Sequence, residues 1–300
     1  MNQGIISYGE AFVDYIAQDR TNKLYNTYLG GTTINVAVGA RRLGTQSHYI
    51  CKLGTDETSQ FIRRELEKES VNTDYCMESE RKRICSVYIH LNEMRERHFH
   101  AYINETPDEQ LLESELHEKL FENAFLFYFG SGTLFHPTAF TTTKRAIQLA
   151  KHHRSLIAFD PNIRLKRWDN LESCKTNVKG MLPDVDILKI SEEELLFLTE
   201  AATLDAGLQI IKSYQIPYVF ITRGEDGAIV FYRNEKIIVP AEKVEVVDTT
   251  GAGDAFMAGL LHCFDRHGIP KTADELVFYT KYANKLGSNT VKTLGALTTE

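Results

Sequence analysis

What most limits the folds open to this chain is a repeated alternation of short apolar runs with helix-length stretches. Residues 48–53 read as a strand and 61–68 as a charged amphipathic helix. Residues 124–130 (A-F-L-F-Y-F-G) and 156–159 are apolar enough to be central strands, with a helix over 138–152 between them. Further strands are expected over 185–190, 218–222 and 229–232, and a closing helix over 279–288. Such a rhythm builds a parallel sheet flanked by helices, an α/β doubly wound architecture. At 300 residues the chain exceeds the usual domain of roughly 100–200, yet α/β units commonly run that long, so residues 1–300 read as one domain.

The rhythm changes in two places. A first strand over 4–12 continues to residue 16 and then into a polar excursion over 18–26. Between 84 and 103, two alternating runs are separated by Asn92-Glu93-Met94-Arg95-Glu96, a hairpin with no helix. Segments of about 14–30 and 84–104 together are expected to form a small antiparallel β lid, whose exposed face suits a second subunit. Arg97 is either a substrate contact or a solvated hairpin residue. His90, His98 and His100 lack metal-ligand spacing and read as strand-face residues.

A net charge of −7 argues against nucleic acid or an anionic membrane surface as partner and leaves a small molecule as the default. The five cysteines form no C-x-x-C pair, which fits reduced thiols. No window reaches the roughly 18 apolar residues of a membrane span, and the N-terminus has no signal-peptide pattern. A soluble cytoplasmic protein is expected.

Chemistry concentrates at 246–256, V-V-D-T-T-G-A-G-D-A-F. The β-branched runs before it, broken at Pro240, read as strands. Phe256, Leu260, Leu261 and Phe264 mark a helix beginning near Ala252 and stopped by His267, Gly268 and Pro270. Gly251 and Gly253 let successive N–H groups approach an anion. A phosphate there would repel Asp254, which instead suits a proton acceptor for a hydroxyl that attacks phosphorus. The plainer alternative is a tight turn with Asp254 as helix cap. Elsewhere the same choice stays open: Asp14 is a hydroxyl ligand or a turn residue, and Asn35 a ligand or a cap. Asp160, Asn162 and Arg164 form either a rim cluster or a Pro turn, while Ser191 and Glu194 suit a helix N-terminus.

The string 248–256 resembles the C-terminal signature of the ribokinase or PfkB family of sugar and nucleoside kinases. Gly30-Gly31-Thr32-Thr33-Ile34-Asn35-Val36-Ala37, continuing to Arg42-Leu43-Gly44, is similar to its N-terminal signature. The resemblance spans the chain and implies a ribokinase-like fold whose lid covers the sugar and often pairs subunits. It implies an ATP-dependent kinase acting on a hydroxymethyl group, with Mg2+ on the nucleotide. Fructose is the foremost acceptor; ribose, 2-keto-3-deoxygluconate and nucleosides are the others. The different-class alternative is a sensor without turnover.

By that resemblance Asp254 is the base, and Gly251, Ala252 and Gly253 form the anion hole. Asp14, Gly30, Gly31, Asn35 and Arg97 hold the acceptor, with Asp160, Asn162 and Arg164 near phosphates and sugar. Lys189, Glu194, Thr222, Gly224, Gly227 and Asn284 fall on the nucleotide side, and Asp248, Thr250 and Gly295 at a potassium site. Two positions depart from the pattern. Ser191 replaces the Asn of the family's N-x-x-E motif, and Ile103 follows Tyr102 where many fructokinase-like members carry Arg.

Overall fold

The computed structural model describes residues 3–93, 97–233, 235–293 and 295–296. The chain opens with β1 (Ile5–Tyr8), β2 (Phe12–Ala17), β3 (Tyr25–Gly30) and α1 (Thr32–Arg42). Next come β4 (Ser47–Ile50), β5 (Lys52–Leu53), α2 (Glu57–Lys68), β6 (Met77–Glu78) and the hairpin β7 (Cys85–Leu91) and β8 (Arg97–Ile103). The alternating part runs α3 (Glu118–Phe121), β9 (Leu126–Gly130), α4 (Pro137–His152), β10 (Leu156–Asp160), α5 (Leu171–Met181), β11 (Ile187–Ser191), α6 (Glu192–Thr199) and α7 (Leu204–Lys212). It closes with β12 (Tyr218–Thr222), β13 (Ala228–Tyr232), β14 (Glu235–Val239), α8 (Ala252–His267) and α9 (Ala273–Thr290).

The main sheet has the order β14-β13-β12-β11-β10-β9-β1-β4. It is parallel from β12 through β4, and β13 and β14 close it antiparallel. Its central strands are buried on both faces, which is why they are apolar without alternation. On one face Phe127, Phe129 and Phe159 pack under α4 and α5, with Phe129 and Phe159 stacked at 4.5 Å. On the other, Tyr128, Phe220, Phe256 and Phe264 pack with α1, α8 and α9. Gly39 of α1 meets Ala258 of α8 so closely that an added Cβ would lie 2.8 Å from the alanine's. These small residues bring the two helices, and with them both glycine signatures, side by side.

Four expected elements differ in detail. The first strand divides at Gly9, where a Cβ would sit 2.1 Å from Thr33 Oγ1, so the chain crosses α1 and leaves the main sheet for the lid. The lid, ordered β3-β2-β7-β8, is mixed and not purely antiparallel, because β2 and β7 both run outward from the rim and pair parallel. The strand expected over 48–53 also divides, its second part pairing with β6. Residues 244–247 form no strand: Val246 and Val247 are each 56% exposed, and among the described residues their one sheet-like tie is Val247 N–H to Val291 C=O at 2.8 Å. α5 and α7 lie beyond the expected elements, with caps Asn170 and Thr203 as their signal.

Candidate active site

Between the C-terminal rim of the parallel strands and the inner face of the lid lies a cavity of about 870 Å³. Asp14, Gly31, Asn35, Asn162, Arg164, Lys189, Thr250, Gly251, Gly253 and Asp254 all line it. Ligands of open α/β sheets collect at this rim because strand ends and helix N-termini converge there.

Two helix N-termini meet at the cavity, and both are capped by glycine. Gly31 precedes α1 at φ 104° and Gly251 precedes α8 at φ 80°, neither with a side-chain cap. By contrast α2, α5, α6, α7 and α9 are capped by Asp56, Asn170, Ser191, Thr203 and Thr272. The first turn of a helix leaves N–H groups without intrahelical acceptors. At α8 the Ala252 N–H reaches Thr249 C=O at 3.3 Å, which leaves those of Gly253 and Asp254 for an anion. Gly251 also has to be glycine for space, since a Cβ would approach the Ala296 backbone to 2.5 Å.

Asp254 does not cap its helix. Its Oδ2 accepts a 2.7 Å hydrogen bond from Asn35 Nδ2 of α1, and the residue is 9% exposed. Burial raises its carboxyl above the usual range, while Asn35, Lys189, Arg164 and Thr32 pull it back. A buried carboxylate held at one oxygen by a neighbouring helix can take a proton at the other. Asn35 is therefore a brace for Asp254 and not a cap, with its own Oδ1 buried and unpartnered among the described residues.

Beside the first turn of α8 lies a buried ion pair, Lys189 Nζ to Asp160 Oδ2 at 2.9 Å. Burial alone would lower the lysine, but Asp160, Glu194 and Asp254 hold it protonated. Burial pushes Asp160 up to about 7 against the pull of Lys189. A Cβ on Gly253 would stand 3.0 Å from Lys189 Nζ, so the ammonium presses against the α8 turn. Asn162, in the left-handed region at φ 40°, donates to Thr32 Oγ1, and Arg164 is exposed in the cavity mouth. Glu194 lies outside the lining. Its Oε1 accepts from Ile163 N–H at 2.6 Å and its Oε2 from Ser191 N–H at 3.0 Å, so it both completes a capping box and ties down the 160–164 loop.

On the lid side, a Cβ on Gly30 would lie 2.5 Å from Asp14 Oδ1, so the glycine makes room for that carboxylate. No side-chain hydrogen bond reaches Asp14 among the described residues, and burial raises it to about 6. Arg97 begins β8, and its side chain lies outside the described residues.

The remaining candidates gather at other places. Thr222, Gly224 and Gly227 form the β12–β13 turn, where Gly227 at φ 85° passes within 2.4 Å, measured from an added Cβ, of Val239 C=O. Asn284 Nδ2 donates to Val239 C=O at 2.9 Å and ties α9 to that exit. Asp248 accepts from Thr250 N–H at 2.9 Å and from Gly295 N–H at 3.1 Å, which brings the three potassium candidates into one loop cluster. Glu10, Thr32, Phe99, Phe135 and Arg167 also line the cavity and were not singled out by sequence. Glu10 ends the approach to β2, and Arg167 stands three residues beyond Arg164; adjacency to those motifs was the available signal.

A buried carboxylate on the first turn of a helix without a side-chain cap, near a buried lysine, is an arrangement suited to transfer of a phosphoryl group to an alcohol. The sequence matches the pfkB family carbohydrate kinases over residues 2–300. It is 31% identical to a fructokinase of Vibrio alginolyticus over 298 residues, covering 99% of this chain and 95% of that protein. Among solved structures it is similar to a fructokinase of Vibrio cholerae O395 in a fructose, ADP and calcium ion bound form, at TM-score 0.86, 29% identity and 99% and 95% coverage. It is also similar to an aminoimidazole riboside kinase of Salmonella enterica, at TM-score 0.87, 26% identity and 99% and 95% coverage. The chain belongs to the pfkB family of carbohydrate kinases, and is an enzyme that transfers a phosphoryl group to a sugar.

Proposed function

We propose that this kinase is an ATP-dependent fructokinase. The observation that carries the reaction type is that Asp254, on the first turn of α8, leaves its own helix uncapped and is braced by Asn35. In this reading Asp254 takes the proton of the acceptor's hydroxymethyl group as its oxygen attacks the γ-phosphorus of ATP, and the bond from that phosphorus to the β,γ-bridging oxygen breaks to release ADP. The Gly251–Ala252–Gly253 turn and Lys189 balance the charge on the transferred group, and positioning supplies much of the remaining rate. Asp14, Gly31 and Asn35 hold the sugar, Gly30 makes room for the Asp14 carboxylate, and Asn162 and Arg164 lie between sugar and phosphates.

The nucleotide lies along the Thr222–Gly227 turn and the exposed Val246 and Val247, with Asn284 shaping that wall. A magnesium ion carried on the nucleotide would offset the charge of its phosphates. The chain fits such a carried ion, because Asp160 Oδ1 is buried without a donor and free to anchor one of its waters. Asp248, Thr250 and Gly295 would hold potassium beside the turn.

The assignment of fructose follows the fructokinases above; the riboside kinase makes a riboside the second reading. Purified protein is expected to consume ATP fastest with fructose in a panel of ribose, 2-keto-3-deoxygluconate and nucleosides. Faster turnover of a riboside would replace the acceptor, and no turnover with any would leave a silent sensor. The lid's outer face is aromatic, with Tyr15 and Tyr88 stacked at 4.9 Å, Tyr25 on Tyr88 at 5.4 Å and His90 on His100 at 3.7 Å. Such a half-buried ladder supports a homodimer through the lid, and sedimentation at micromolar protein should return twice the chain mass. Among the described residues no helix is long and apolar enough to cross a membrane. The buried, unpaired cysteines support a reducing, cytoplasmic setting.

A further inference from the structure

Within the cavity one charged group has no part in moving the phosphate. Arg167 donates through Nη2 to Glu10 Oε2, the two side chains being 13% and 10% exposed. Glu10 Oε1 in turn accepts from Gln110 Nε2 at 3.2 Å, so the carboxylate is held at both oxygens. Three rings surround the guanidinium, with its carbon 5.0 Å from the centre of Phe12, 4.9 Å from Tyr102 and 4.2 Å from Phe135. Phe12 and Tyr102 belong to the lid, Phe135 and Arg167 to the rim of the main sheet. Gly132 lies across from Nη1, at 3.7 Å from the place its Cβ would take, and leaves that end of the fork open.

Stability alone is a poor account of this arrangement. A buried ion pair repays little beyond the cost of desolvating its two charges. Arg167 Nε is buried without an acceptor, and Nη1 has none among the described residues. Structural arginines in folded proteins have most of their donors satisfied. Here the aromatic cage fixes the plane of the fork while Glu10 cancels its charge. What remains facing the cavity is a rigid N–H donor with no net charge behind it.

We infer that Arg167 is a specificity-determining residue, which binds an oxygen of a neutral polyhydroxy acceptor through Nη1 and, by its pairing with Glu10, disfavours acceptors that carry a carboxylate. The inference rests on the kinase reading above. It requires that wild-type protein prefer a neutral hexose to the matching sugar acid. Arg167→Met keeps the length and the apolar contacts and removes the donors. It should raise KM for fructose about tenfold or more, the range of a lost charge-assisted hydrogen bond, with kcat and the KM for ATP within about threefold. A purely structural role would instead lower melting temperature or shift both KM values together. Glu10→Gln leaves the guanidinium in place with its charge uncancelled, and should raise the ratio of kcat/KM for the sugar acid over fructose about tenfold. Calorimetric titration with fructose, in the absence of ATP, accompanies the kinetics. Unchanged fructose affinity in Arg167→Met, or a wild-type preference for the sugar acid, overturns the inference. Fructose binding without ATP consumption by wild-type protein overturns the kinase reading instead, and the affinity of Arg167→Met still decides the role of Arg167.

Discussion

The two walls of the cavity are built differently. The sheet-side wall is made of groups that hold one another: Asp254 on Asn35, Lys189 on Asp160, and Asn162 on Thr32, all at the ends of helices or strands packed in the two main cores. The lid-side wall offers Asp14, Phe12, Val87, Phe99 and Tyr102 from a mixed four-stranded sheet, and its carboxylate has no side-chain hydrogen-bond partner among the described residues. Catalytic groups require fixed geometry, because small displacements are costly in rate. Groups that receive a sugar need their hydrogen bonds still to be made. The contrast supports a division in which the rigid wall sets the reaction, while the acceptor is received by the unsatisfied groups of the lid together with Arg167 at the rim beside it.

The strongest way to break the comparison is at Asp254. Asp254→Asn keeps the shape and the contact with Asn35 and removes the base. Turnover is expected to fall by at least roughly a hundredfold, with ATP binding little changed. A variant near wild-type turnover would show that the rigid wall only positions, and that another group takes the proton.

The same division explains what could be read from the sequence. Local chemistry was legible. The D-T-T-G-A-G-D string offered its carboxylate and its glycines as candidates, and the apolar runs marked the central strands, because each is encoded in contiguous residues. That Asn35, 219 positions away, braces Asp254 was not legible, because only the packing of α1 on α8 brings the two together; the contact argues against a cap and supports the proposed base. The approach over 244–247 has strand-like composition but no neighbour to pair with. β-propensity reflects a fit to a pleated, half-buried surface, and here the surface is missing. Arg167 escaped notice for a similar reason. Its cage is made by Phe12, Tyr102 and Phe135, which only the closure of lid on sheet brings together. Ile103, where the family resemblance leads one to expect an arginine, is 44% exposed and paired with Ser86, so that position supplies no charge.

The smaller effect, and the sharper test of the lid wall, is at Asp14. Burial raises its carboxyl from the usual range to about 6. The folded protein then binds more protons than the unfolded chain between about 3.8 and about 6. Stability from this group is full below that window and is lost as pH rises through it. Above pH 6 an ionised Asp14 is a cost to the fold, which its proposed role in binding sugar hydroxyls would account for. Asp14→Asn removes the cost and the function together. At pH 8 the variant should melt a few degrees above wild type, with the difference fading by pH 4, while its KM for the sugar rises about tenfold. Wild-type KM for the sugar should likewise climb as pH falls below 6, and the variant's should stay level. If Asp14→Asn were instead less stable at pH 8, the carboxylate would be a structural member of the lid, and both walls of the cavity would be built on the same plan.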